Sequence, residues 1–238
     1  MRLDKAIASQ GQYSRKEIKT LIRQGAVTVN GRVVTDPGTS VLPEAEKIAV
    51  GSVPLSYQKH VYWMMNKPKG VLCATEDKKQ KTVLALLPAD KRRPGIFPAG
   101  RLDMDTTGLV ILTDDGNLAH RILSPKNHVL KTYLALLEHA LTEKDVAALQ
   151  EGILLKDGTR CLPAEVTPLE GTLIKLRICE GKYHQVKRMI AATGNKVLEL
   201  KRIQMGNLSL DESLAEGACR PLTEEERELL LQKDESLG

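Results

Sequence analysis

Between residues 14 and 34 the spacing of apolar positions changes period once, and the change separates two kinds of element. Ile18, Leu21 and Ile22 recur at the three- and four-residue spacing of one helix face, with Arg15, Lys19 and Arg23 four apart on another. Ser14 followed three residues later by Glu17 is a capping box that starts this helix, and Gly25 suits its left-handed stop. The next stretch, AVTVNGRVV, alternates apolar and polar residues on both sides of Asn30 and Gly31. Two adjacent residues that tolerate positive φ are what a tight hairpin turn requires, so the stretch predicts a hairpin. A small unit of helices plus hairpin thus ends near Val50, and GSVPLSYQKH, without charge bias, reads as a linker.

From Val61 the pattern is that of a larger domain. VYWMMNKPKGVLCA begins as a strand and is broken by Pro68 and Gly70. Further strand-like runs cover 96–99, 109–113, 132–137, 173–179 and 197–203. Helical runs lie between and after them: NLAHRILS, EKDVAALQEG behind Thr142, HQVKRMIAATG stopped at Gly194, and a last one behind the Thr223 to Glu226 capping box. The expected class is α+β, a small helix and hairpin domain over 1–57 and a larger domain over 58–238 built on a mainly antiparallel mixed sheet with flanking helices. Since the apolar runs and helix caps of the second domain are complete without the first, a chain beginning near Gln58 is expected to fold.

Charge changes this picture at one end. The chain has 238 residues and a formal charge of +5, a modest surplus. Within residues 1–34, however, seven basic side chains (Arg2, Lys5, Arg15, Lys16, Lys19, Arg23, Arg32) face two acids (Asp4, Glu17), so seven minus two places a surplus of five there. That concentration favours a polyanionic partner. The four cysteines are far apart and form no metal-ligand or redox pair, which fits free thiols in a reducing cytosol. No apolar run approaches the length of a membrane span, and no leader-like apolar segment opens the chain, so a cytoplasmic protein is expected. Dinucleotide, nucleoside triphosphate, esterase and zinc-protease motifs are absent.

Candidate chemistry gathers in three short motifs. GRLDMDTTGL (100–109) crowds Arg101, Asp103, Asp105, Thr106 and Thr107 between two glycines; KTY follows at 131–133 and EGKYHQVKRM at 180–189. Taken alone, Asp103 is as well explained as a turn-stabilising carboxylate. Together, in this order and spacing, the three motifs resemble the pseudouridine synthases, and GRLDxxTxGL with HQVKRM is similar to the members acting on small-subunit ribosomal RNA. RLDKAIASQGQYSRKEIKTLIRQGAVTVNGRVV through KIAV resembles the S4 RNA-binding domain. Between them the resemblances cover nearly the whole chain.

The resemblance implies roles. The family's catalytic aspartate falls on Asp103, its base-packing tyrosine on Tyr133, and its basic partner to the aspartate on Lys187, where many relatives have arginine. A lysine keeps the charge without the bidentate fork. The family's pocket hydrophobe falls on Leu200, and Arg101, Arg188 and Arg202 are the candidate substrate contacts. For Leu200 the plain alternative is an ordinary buried strand residue; for Arg188 and Arg202 it is a solvated charge. His184, with no partner evident, is taken as structural. Arg2, Arg15, Lys16, Lys19 and Arg23 are the implied RNA contacts, binding phosphates without reading sequence.

The implied reaction detaches uracil from its ribose through nitrogen and reattaches it through carbon. Nothing is oxidised, so neither cofactor nor metal is expected. Asp103 would act as nucleophile at C1′ or as base at C2′. The expected substrate is one uridine of 16S ribosomal RNA in an assembling small subunit, met by a monomer, with a large-subunit RNA site as the alternative. Two other classes stay open on the residues alone: a non-catalytic RNA-binding factor, and a glycoside hydrolase using Asp105, Asp114 or Asp115 as a second carboxylate.

Overall fold

The computed structural model describes residues 1–124 and 127–232. It contains two compact units: Met1–Val61 with Leu87–Ile96, and Tyr62–Leu86 with the chain from Phe97 on.

In the first unit, helices α1 (Leu3–Ala8) and α2 (Arg15–Arg23) cover a sheet of β1 (Val27–Val29), β2 (Arg32–Val33), β3 (Ile48–Val50) and β4 (Val53–Pro54) in the order β2-β1-β3-β4. The predicted capping box is made in full, Glu17 N donating to Ser14 Oγ at 3.2 Å and Ser14 N to Glu17 Oε2 at 2.8 Å. The hairpin turns on Asn30 and Gly31, at φ 52° and 79°. Leu3, Ile7, Ile18, Ile22 and Val27 are fully buried between the layers.

Two expectations are corrected here. Half of the supposed linker is structured: the chain reverses at Gly51, with φ 59°, and Val53 pairs with Val50 and Pro54 with Ala49. Leu55 and Tyr57 then pack on the core. A polar composition hid the strand because β4 is an exposed edge. Residues 87–96, moreover, belong with the first unit. Arg93 donates from Nη1 to the Gln58 carbonyl and from Nη2 to that of Lys59, each at 2.8 Å, and Gly11 at φ +82° lies where a Cβ would touch the Arg92 carbonyl. A chain begun near Gln58 would keep the two carbonyls that Arg93 uses but would lose the Gly11 backbone against which residues 92 and 93 pack.

The second unit runs β5 (Tyr62–Lys67), α3 (Val83–Leu86), β6 (Phe97–Pro98), β7 (Thr107–Thr113), α4 (Gly116–Leu123), β8 (Lys131–Leu137), α5 (Glu143–Gln150), β9 (Glu165–Pro168), β10 (Leu173–Ile178), α6 (Gln185–Ala192), β11 (Val197–Met205), β12 (Leu208–Ser209), β13 (Cys219–Pro221) and α7 (Glu224–Leu231). Its mixed sheet has the path β13-β5-β7-β11-β8-β10-β9, with β6 on β7 and β12 on β11. All of these pairings are antiparallel except β7 with β11. β5 ends at Lys67, immediately before Pro68 as expected. The core joins Met64, Leu109, Ile111, Ile122, Met205 and Leu230. Among the described residues no helix is long and apolar enough to cross a membrane, and none of the four cysteines is in a disulfide, Cys219 being only half-buried.

The parallel seam positions the site. Thr107 pairs with Lys201 and Gly108 with Arg202, so β7 enters the sheet directly after the GRLDMD loop, beside the middle of β11. Gly108 has φ +100°, and a Cβ there would lie 2.2 Å from the Arg202 carbonyl oxygen. No other residue tolerates both the conformation and the approach. Gly108→Ala is therefore expected to destabilise the protein by about 3 kcal/mol or more, measured as a fall in the urea midpoint; an unchanged midpoint would show that the seam relaxes freely.

Candidate active site

The loop before β7 is held from beneath by a lysine. Lys67 is fully buried, and its Nζ donates to the main-chain carbonyls of Pro68 at 3.1 Å, Met104 at 3.2 Å and Thr106 at 2.8 Å. Burial depresses its pKa, and the three carbonyls supply the partners a buried ammonium needs. Thr106 N closes a turn onto the Asp103 carbonyl at 3.1 Å. The Asp103 side chain leaves this fixed turn half-buried, without being consumed as a turn group.

Its charge is met from α6. Lys187 Nζ lies 3.1 Å from Asp103 Oδ2 and 2.5 Å from Asp105 Oδ1, bridging two carboxylates, and His184 Nε2 is 3.4 Å from Asp103 Oδ1. Burial alone would lower the Lys187 pKa, but the two carboxylates outweigh it and the net shift is upward. The hydrogen bond from Lys187 holds Asp105 below the usual carboxylate range. His184 caps α6 in a left-handed conformation, φ 48°, with its ring stacked 3.8 Å from that of Tyr183.

The opposite wall comes from β8 and β11. Tyr133 and Arg202 are direct cross-strand partners and so share a sheet face, and Lys131, two residues from Tyr133, shares it too. Arg101, Asp103, Lys131, Tyr133, His184 and Arg202 line a cavity of about 790 Å³, a size suited to a nucleoside-sized ligand. Lys187 and Asp105 border a second hollow of about 470 Å³, and Leu200 lies between the two, meeting Asp103 and Tyr133 in a notch of about 60 Å³.

Residues 61–192 match the RNA pseudouridylate synthase family model, and residues 1–47 match the S4 domain. An uncharacterized RNA pseudouridine synthase of Bacillus subtilis (strain 168) is 47% identical over 97% of this chain and 98% of its own. The ribosomal small subunit pseudouridine synthase A of Escherichia coli (strain K12) is 45% identical over 95% and 98%. A crystal structure of a pseudouridylate synthase superposes with a TM-score of 0.67 at 43% identity, covering 97% of this chain and 99% of that one. The chain belongs to the RNA pseudouridine synthase family.

Within this family member, the structure gathers Asp103, Lys187, Tyr133, Leu200, Arg101 and Arg202 around adjoining hollows. It does not gather Arg188, whose guanidinium turns to Asp157 and to the Tyr183 carbonyl. Two further readings change. His184 is a neighbour of Asp103, not a structural bystander; its partner lies 81 positions back in the chain, so nothing local announced it. Arg202 is no solvated charge: it is 3% exposed, with Nε donating to the Leu109 carbonyl at 2.8 Å. Lys67 and Lys131 were missed altogether. The signals were the placement of Lys67 at the end of the apolar run WMMN, and the alternation that puts Lys131 on the face of Tyr133. Among the described residues no group of three or more His, Cys, Asp and Glu side chains is placed to hold a metal ion.

Lys131 is the anomaly of the site. It is 4% exposed, its Nζ donates only to the Cys179 carbonyl at 3.0 Å, and burial, reinforced by the nearby Arg202 charge, lowers its pKa to about 8. A folded pKa below the unfolded value of about 10.4 means that the folded state binds fewer protons between the two. Stability therefore rises with pH through that window and the penalty is fully present below about 8. Lys131→Met is expected to melt no lower than wild type at neutral pH, its relative advantage shrinking towards pH about 10 as the native lysine discharges, while product formation falls. Melting curves across this range check it; an advantage independent of pH would mean that burial leaves the proton affinity of Lys131 as it is in the unfolded chain.

Proposed function

We propose that this chain isomerises one uridine of small-subunit ribosomal RNA to pseudouridine, with Asp103 as the reacting carboxylate and no cofactor. The observation that carries the reading is the Lys187 ammonium 3.1 Å from Asp103 at a cavity walled by Tyr133, in a member of this family. The ribosomal small subunit synthase among its relatives supports the choice of RNA. The substrate is 16S ribosomal RNA in an assembling small subunit, and the protein works as a cytoplasmic monomer.

The target uridine leaves its stack to enter the cavity, at a cost of a few kcal/mol that contacts elsewhere on the RNA offset. Asp103 then either bonds to C1′ as the C1′–N1 bond breaks, or takes the C2′ proton to leave a glycal. The freed uracil turns, and its C5 bonds to C1′ as the Asp103–C1′ bond breaks or as Asp103 returns the proton to C2′; the C5 proton then departs. Lys187 sets an opposite charge beside the carboxylate. Tyr133 covers the face of the base, and its phenol is placed for proton transfer. A hydrolase would require a second carboxyl group in its acid form; Asp105, held low by Lys187, does not offer one.

The first unit grips RNA through charge. Arg2 forks onto Asp4, both nitrogens at 3.0 Å, and Lys19 stands 3.9 Å from the same carboxylate, so these two are partly committed within the fold. Arg15, Lys16 and Arg23 are exposed along α2 and form the phosphate-facing stripe.

Asp103→Asn is expected to abolish loss of the C5 proton from labelled uridine in a ribosomal RNA fragment while leaving the RNA Kd within a few-fold, because the change removes charge but little volume. Turnover near the wild-type rate would refute the assignment. Replacing Arg15, Lys16 and Arg23 together should reduce the slope of log affinity against log salt by about 2 to 3 units, at about 0.7 to 0.9 per phosphate contact, with kcat at saturation unchanged. An unchanged slope would place the RNA on another surface.

A further inference from the structure

Arg202 and Lys131 form the most unusual electrostatic feature of the second unit. Both cations are almost completely buried on the sheet face that carries Tyr133. Among the described residues neither has a carboxylate at ion-pair distance; their partners are the main-chain carbonyls of Leu109 and Cys179. Arg202 Nη2 is buried and, among the described residues, has no hydrogen-bond partner. A buried donor left unsatisfied costs about 1–3 kcal/mol, and a guanidinium cannot shed its proton to escape that cost. Gly108, pressed against the Arg202 main chain, keeps the side chain from withdrawing with its strand. Such an arrangement persists when something negative arrives to use it.

We propose that Arg202, with Lys131 beside it, receives the uracil as it leaves the ribose: its guanidinium, at the cavity wall, donates to a carbonyl oxygen of the base and stabilises the negative charge the base then carries. The inference rests on the uridine-isomerising reading above and adds a leaving-group site to it. In either route the electron pair of the C1′–N1 bond departs with N1 and spreads onto the two carbonyl oxygens. Asp103 meanwhile gains a bond to C1′ or the proton from C2′. The anion is discharged when its C5 bonds to C1′ as Asp103 leaves that carbon or returns the proton to C2′, so that the charge goes back to the carboxylate, and the C5 proton is then lost. A cation preplaced where charge develops acts on the transition state rather than on bound uridine. The register supports a base over a backbone phosphate as the occupant. Arg202 lies directly across from Tyr133, so a uracil packed on that ring presents its edge to the guanidinium, whereas exposed Arg101 and half-buried Lys182 on the cavity wall suit phosphate.

Two experiments on the full chain test this. In the first, free 5-nitrouracil, an anion at neutral pH, is compared by calorimetric titration with neutral uracil and with inorganic phosphate. The anionic base is expected to bind about tenfold more tightly than uracil, and Arg202→Gln to abolish the preference. Equal affinity for the two bases, or an Arg202-dependent site that takes phosphate instead, overturns the proposal. In the second, single-turnover rates of disappearance of the original N1-linked nucleoside are measured on ribosomal RNA fragments carrying uridine or 5-fluorouridine, whose base leaves more readily but has no C5 proton to lose. Arg202→Gln should slow the uridine reaction about 100-fold with the RNA Kd within about twofold, and the loss should shrink to about tenfold or less with 5-fluorouridine. Arg202→Lys should recover part of the rate. An equal loss on both substrates marks a merely structural residue and overturns the proposal. A wild-type chain that forms no pseudouridine would refute the functional reading, and the base-binding comparison would still judge this one.

Discussion

The seam between β7 and β11 organises the catalytic unit. Parallel pairing of Gly108 with Arg202 is possible only because residue 108 has no side chain, and it delivers three things to one place. The loop bearing Asp103 ends where β7 begins. β11 brings Leu200 and Arg202 alongside. Through β11, β8 is registered so that Tyr133 and Lys131 face the same hollow. Were the seam to slip by one residue, each strand would turn its functional side chains to the other face of the sheet.

Around this seam positive charge is arranged in two tiers that differ in hydration. Lys187 sits at the mouth, shared between Asp103 and Asp105, where two carboxylates satisfy it. Lys131 and Arg202 sit at the floor, satisfied only by main-chain oxygens. The outer tier sets a positive charge against Asp103, and the inner one raises the electrostatic potential at the cavity floor. A site built this way has its strongest field where the resting enzyme has least to stabilise, which is the condition for favouring a charge that exists only during reaction.

Much of this was legible in sequence because it is local. The capping boxes at Ser14, Thr142 and Thr223, the Asn30–Gly31 turn and the break before Pro68 are short-range signals, and each formed where its residues indicated. The Asp103, Tyr133 and Lys187 set was legible by resemblance, and geometry then placed Lys187 on Asp103. What escaped was long-range. The attachment of residues 87–96 to the first unit, His184 beside Asp103 and the commitment of Arg188 to Asp157 depend on partners tens of positions away. The burial of Arg202 and Lys131 ran against the ordinary expectation for charged residues, and no pattern within their own strands distinguishes a buried cation from a solvated one.

The tether beneath the loop has an evolutionary consequence. Lys67 recognises residues 104 and 106 only through their carbonyl oxygens, atoms that every amino acid supplies alike. The loop backbone is thus anchored by a contact blind to the identity of its neighbours, and the exposed side chain of Met104, unlike that of Asp105, which shares Lys187 with Asp103, can drift without moving it. A lineage can exchange that side chain while the tether holds, so change at the rim of the cavity need not displace Asp103.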